Sequence, residues 1–126
     1  MPGIRIRDLS GPTLAFDLKE LLQVLGPEAV ESRWKCSVDE YLPTENARRN
    51  LVDEYERPSG VEGGALVALA AETLQVIDGR FEAFRRGETE PWLRLDAIDS
   101  SYWEVFAPNG DDLVQFRLTF HDVEDL

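Results

Sequence analysis

The chain has one cysteine, Cys36, and one histidine, His121. A lone cysteine closes no disulfide within the chain. One thiol and one imidazole also fall short of the four nitrogen and sulfur ligands of a structural zinc site. No apolar run nears the roughly 20 residues that a membrane-spanning helix needs. Cations are scarce: 13 Lys and Arg stand against 25 Asp and Glu, for a net charge of -12 and a pI near 4.4. Nucleic acid and anionic membranes are bound through Lys and Arg, so the composition speaks against both as partners. A field of one sign speeds association with an oppositely charged molecule by about 10- to 1,000-fold, which makes a basic protein the partner to expect. Met1-Pro2-Gly3-Ile4-Arg5 has no apolar core of the kind a secretory leader carries, so the expected compartment is cytoplasmic. Gly63-Gly64 precedes a helical pattern without the lysine of a phosphate-binding loop, and no cofactor is expected.

What is present suits a single domain over residues 1–126. Hydrophobic residues make up 43% and charged residues 30%, the balance of an ordinary globular chain with one core. Near the N-terminus, Ile4-Arg5-Ile6-Arg7 alternates like a short strand. Leu14, Leu18, Leu21, Leu22 and Leu25 follow at helical spacing, and Gly26-Pro27 ends that helix. Arg33 to Val38 alternates and reads as a strand, with Cys36 as a small buried hydrophobe. Thr44 is placed to cap a surface helix carrying Ala47, Leu51 and Tyr55, and Ala65 to Thr73 reads as a short buried helix.

Residues 74–123 carry the strongest pattern, four strands joined by tight turns. Asp78-Gly79 predicts a two-residue hairpin turn that sets Val76 against Phe81 and Leu74 against Ala83. Trp92 to Ile98 alternates, Asp99-Ser100-Ser101 turns the chain, and Tyr102 to Ala107 returns. That turn pairs Ala97 with Trp103, Leu95 with Val105 and Asp96 with Glu104. Asn109-Gly110 predicts a further hairpin, which sets Trp103 against Phe116 and Tyr102 against Arg117. Alternation from Val114 to His121 favours a strand, although Asp111 and Asp112 are also placed to cap a helix there. The expected fold is α+β: an antiparallel β-meander of four to five strands with two to three helices packed on one face.

This register gathers Arg94, Asp96, Tyr102, Glu104 and Arg117 on the outer face, with Trp92, Ile98 and Phe106 near its margins. Arginine mixed with aromatics is the composition of protein recognition surfaces. Asp96 opposite Glu104 is the one pair with the makings of acid/base chemistry, unless Arg94 and Arg117 bridge the two carboxylates. No catalytic serine motif accompanies them, and His121 falls beyond reach of Ser100 and Ser101 in the expected ladder.

The segments Gln75-Val76-Ile77-Asp78-Gly79 and Trp92-Leu93-Arg94-Leu95-Asp96-Ala97-Ile98-Asp99-Ser100-Ser101-Tyr102-Trp103-Glu104-Val105 resemble a pattern in small uncharacterised bacterial proteins. In size and acidity the chain is also similar in type to cytoplasmic immunity proteins that neutralise secreted bacterial toxins. That likeness implies a non-enzymatic protein-binding module, with a basic toxin as its partner and the outer face as its contact. A small hydrolase or ligand-binding domain using Asp96 and Glu104, and a structural homodimer joined through the same face, are the alternatives.

Overall fold

The computed structural model describes residues 1–126. Seven strands form one sheet. They are β1 (Gly3–Ile6), β4 (Arg33–Pro43), β5 (Val61–Glu62), β6 (Thr73–Phe84), β7 (Leu93–Ile98), β8 (Tyr102–Phe106) and β9 (Val123–Asp125). Their order is β5-β4-β6-β7-β8-β1-β9, and every neighbouring pair is antiparallel. Two short strands, β2 (Leu9–Ser10) and β3 (Thr13–Leu14), make a separate ribbon. The helices are α1 (Leu18–Leu25), α2 (Pro27–Glu31), α3 (Val52–Tyr55), α4 (Gly63–Ala71) and α5 (Val114–Thr119). The α+β class is as expected, with more strands in the sheet than the local pattern revealed.

All the helices lie on one side. The inward residues of the sheet, among them Ile6, Trp34, Phe81, Leu95 and Trp103, join Leu21, Leu66 and Phe116 of the helices in one buried cluster of 27 residues. Asp17 opens α1. Glu20 accepts the Asp17 backbone N–H at 2.8 Å, and both carboxylate oxygens of Asp17 accept the N–H of Val76, at 3.1 and 3.2 Å. The leucine stripe therefore begins at Leu18, and Leu14 belongs to β3.

The Asp78-Gly79 hairpin does not form. Both residues lie inside the 12-residue strand β6. A two-residue turn there leaves room for only a few local pairs, whereas β4 supplies ten partners between Arg33 and Pro43. The register shifts between Val38, Glu40 and Tyr41 are β-bulges, and they reset the alternation so that Val76 and Phe81, five residues apart, both point inward. Gly79 sits where the strands come close: an added Cβ would lie 3.1 Å from the Ser37 carbonyl oxygen. A further shift near Pro43 turns Thr73 inward and leaves Leu74 65% exposed rather than in the core.

The Asn109-Gly110 hairpin is also absent. The free edge of β8 is taken by β1, with Ile4 against Val105 and Ile6 against Trp103. The chain after β8 therefore has no edge to pair with and turns back over the inner face. The Asn109 side chain accepts the N–H of Asp111, a 3-10 turn covers Gly110–Leu113, and α5 follows. Leu113 and Phe116 supply its buried stripe, and Val114 is exposed.

The helix expected from Thr44 shrinks to α3. Leu51 and Tyr55 are fully buried, and the Tyr41 hydroxyl accepts the Leu51 N–H. The segment thus covers the outer edge of β4, where Glu56 accepts the N–H of Val38 at 2.7 Å.

Candidate functional site: the open sheet face

No helix covers the outer face of the sheet. The register lays its side chains in rows across the strands. One row runs Lys35, Glu82, Arg94, Phe106, Gly3. The next runs Ser37, Arg80, Asp96, Glu104, Arg5, Glu124.

Asp96 sits opposite Glu104 as expected. Like charges across strands repel, and arginines from three strands relieve that repulsion. Arg80 donates to Asp96 at 3.0 Å, and the Arg94 guanidinium lies 3.3 Å from its other oxygen. Arg5 donates to Glu104 through Nε at 3.2 Å and Nη2 at 2.9 Å, and its remaining nitrogen reaches Glu124 at 3.2 Å. These bonds to Glu104 raise the Arg5 guanidinium above its ordinary pKa. Asp96 is only 5% exposed, so it anchors the arginines and offers no contact of its own to a partner.

The aromatic rings lie flat under these cations. Arg5 sits 4.3 Å from the Tyr102 ring centre, and Arg94 sits 4.3 Å from that of Phe106. Phe106 in turn needs Gly3, since a Cβ there would fall 2.5 Å from its ring. Guanidinium groups held by a carboxylate below and a ring beside have already lost much of their rotamer freedom, so docking against them loses little more.

Of the five residues expected on this face, the structure brings together Arg94, Asp96, Tyr102 and Glu104. Arg117 does not belong. It projects from α5 and pairs with Asp125 of β9 at 2.5 Å, because its segment is a helix and not the strand that would have set it beside Tyr102. The bridging role expected of Arg117 is taken by Arg80 and Arg5. The alternation around Arg5 was legible in the sequence, but the neighbour of its strand, about a hundred residues away, was not.

The other reactive groups are engaged elsewhere. Burial, with Glu56 nearby, pushes the Cys36 thiol up to about 12, so it is no nucleophile. The Ser101 hydroxyl donates to the Asp99 carbonyl. No three His, Cys, Asp or Glu side chains converge as a metal ion would require. No helix is long and apolar enough to cross a membrane.

Two hollows bound the face along β4 and β6. One, of about 660 Å³, is lined by Arg33, Lys35, Phe84, Arg85 and Arg86 with three glutamates. The other, of about 380 Å³, is lined by Asp39, Asp78, Arg80 and Asp96 with apolar neighbours. The two rows, counting Arg7 over Tyr102, hold five cations and four anions, within a protein that carries 13 and 25. The acidic excess therefore lies off these rows.

In comparisons with known proteins, no family model, no curated protein and no solved structure matches this chain.

Proposed function

We propose that this protein is a non-enzymatic protein-binding module whose docking surface is the open face of the sheet. The observation that carries the reading is the set of arginines on that face, fixed in place by Asp96 and Glu104 and stacked on Tyr102 and Phe106. Rigid Arg and aromatic groups are the side chains that dominate binding energy at protein interfaces. Neutralisation of a basic toxin is the most concrete form of this function. The net charge of -12 draws such a partner in from a distance, and the balanced face then fixes its orientation.

The alternative, acid/base work by Asp96 and Glu104, has less behind it. Both carboxylates are taken up by guanidinium groups, and Asp96 lies beneath them.

The test is retention of a partner from lysate of the source organism by the tagged wild-type chain, compared with a Tyr102→Ala, Arg80→Glu variant. Both residues lie on the face, and Arg80 is half exposed. A partner held by the wild type and lost by the variant, with unchanged far-UV circular dichroism, supports the assignment. A partner held equally by both overturns it.

A further inference from the structure

On the helical side of the sheet, away from the open face, a hollow of about 550 Å³ lies between α1, the base of the β2–β3 ribbon and the end of α5. That is within the size range of small-molecule sites. Phe16, Val24 and Phe120 make its apolar wall. The Phe16 and Phe120 rings are 4.7 Å apart between centres and inclined at 49°, so they form an aromatic corner. No lysine or arginine lines the hollow, but two carboxylates do, those of Asp8 and Glu20. Neither has a cation within ion-pair distance. Backbone N–H groups fix both in place. Those of His121 and Asp122 reach Asp8 at 2.6 to 3.0 Å, and that of Asp17 reaches Glu20 at 2.8 Å. The Thr119 hydroxyl donates to the Gln115 carbonyl, so its oxygen is left as an acceptor. Gln23 and His121 complete the polar lining.

An aromatic corner edged by carboxylates and lacking any fixed cation is complementary to an apolar group that carries a positive charge. We propose that this hollow binds a small amphipathic amine. Its ring or short chain packs on Phe16, Val24 and Phe120, and its ammonium group is drawn to the carboxylates of Asp8 and Glu20. Three effects act in the same direction. Phenyl faces attract a cation, a carboxylate accepts strong hydrogen bonds from an ammonium group, and a net charge of -12 raises the concentration of cations near the surface. A neutral ligand of the same shape gains only the apolar contact, and an anionic one is repelled.

The larger hollow at the start of β4 has no such preference. Arg33, Lys35, Arg85 and Arg86 stand there among three glutamates, so its charge is matched from within. The amine site is also independent of the open face, since it is built from the helices and the ribbon. Its failure would leave the docking surface untouched, and the reverse holds as well.

The test is a titration of the full chain with phenethylamine, read from amide proton–nitrogen NMR correlation spectra. It is run at about pH 7.5, where an alkyl amine is protonated and an ordinary carboxyl group is ionised. Titration to about 10 mM brackets a dissociation constant on the order of 1 mM, within reach of so small a ligand. The amide signals of Phe16, Val24, Phe120 and His121 should shift and saturate, while those of the β7–β8 hairpin stay in place. Phenethyl alcohol and phenylpropionate, of nearly the same shape, should bind several-fold more weakly or not at all. Glu20→Gln with Asp8→Asn keeps an oxygen for each backbone N–H and removes both charges, and it should weaken the amine by about tenfold. Absence of saturable shifts in the wild type, equal binding of the alcohol, or an unchanged affinity in a folded variant would each overturn the site. Tighter binding of Nα-acetyl-lysine amide than of phenethylamine would overturn the free amine in favour of a lysine side chain.

Discussion

Asp17 is a buried carboxylate that must be accounted for at neutral pH. Burial raises its pKa from 3.8 to about 7, against the pull of the Leu18 and Val76 N–H groups, and the charge of Glu20 adds to the rise. Folding therefore favours the protonated form. The resulting stability is fully present below the unfolded value of 3.8 and is lost as pH rises through about 7. The side-chain amide of an Asp17→Asn variant keeps an oxygen for the Val76 N–H, remains a good N-cap and does not titrate. The difference between wild type and variant isolates this one group from the other carboxylates. A shift of about three units, at about 1.4 kcal/mol each, sets a ceiling near 4 kcal/mol, of which roughly 2 should appear between about pH 8 and pH 5.5. The lower limit stays about a unit above the pI near 4.4, where solubility falls. Urea unfolding followed by circular dichroism measures both proteins at each pH. With a slope of about 1–3 kcal/mol per molar, wild type should gain on the variant by roughly 1 M or more in midpoint on acidification. Midpoints that move in parallel, within about 0.5 kcal/mol, would refute the idea that burial governs Asp17.

Other consequences of the structure can be checked in the same assay. Trp34 and Trp103 are both fully buried, but the Trp34 indole N–H donates to the Ala29 carbonyl at 3.0 Å whereas that of Trp103 meets no acceptor. Trp34→Phe should therefore cost about 1–2 kcal/mol more than Trp103→Phe, and equal losses would contradict the assignment. Gly3→Ala should destabilise by about 1–3 kcal/mol because its methyl meets the Phe106 ring. In a Phe106→Ala background that cost should vanish, and its persistence there would point to another cause. Glu56→Ala leaves the Val38 N–H open at a strand edge, with an expected loss of about 1.5–3 kcal/mol and increased light scattering near the unfolding midpoint.

The β7–β8 hairpin could be read in full from the sequence. Its alternation is strict, its turn is three residues long, and Ala97 against Trp103, Leu95 against Val105 and Asp96 against Glu104 are the observed pairs. Everything that fixes that register lies within a dozen residues. The failures share the opposite property. Asp78-Gly79 and Asn109-Gly110 are good turn dipeptides by local chemistry, but long-range pairing decided both places. β4 occupies β6 from about 40 residues upstream, and β1 occupies β8 from about a hundred. No local pattern announces such partners. The same division runs through the candidate site. Arg94, Asp96, Tyr102 and Glu104 were placed correctly because one hairpin carries them all. Arg5 was missed because its strand joins that hairpin only through non-local pairing, Arg80 because the turn expected at Asp78-Gly79 made it part of a separate hairpin rather than of the strand beside β7, and Arg117 was misplaced because its segment had no strand edge left to join. Helical spacing of Leu113, Phe116 and Phe120 was a signal for α5, but the alternation of Val114 to His121 obscured it.

The edges of the sheet bear on how a partner would be met. A protein can also recruit another by adding a strand to an open edge. Here β5 ends one side of the sheet and has two residues, and β9 ends the other and has three. Beyond β5, the edge of β4 lies against α3, and the carboxylate of Glu56 takes up the Val38 N–H. The outward edge of β9 carries Glu124 and Asp125, each bound to an arginine. Short, acidic and blocked edges are how sheets avoid pairing with foreign strands. On the helical side Leu66, Leu69 and Ala70 of α4 pack into the core, while Val30 and Val67 border a small apolar hollow at the surface. The open sheet face is flat and ordered, and rich in arginine and aromatic rings. A partner of this protein would then meet side chains rather than backbone. Its specificity would come from matching the fixed guanidinium groups, so Tyr102→Ala with Arg80→Glu should weaken partner binding far more than any change on β5 or β9. Stronger loss from Val61→Pro in β5 than from Tyr102→Ala with Arg80→Glu, in a variant that still folds, would move the docking surface from the face to the edge.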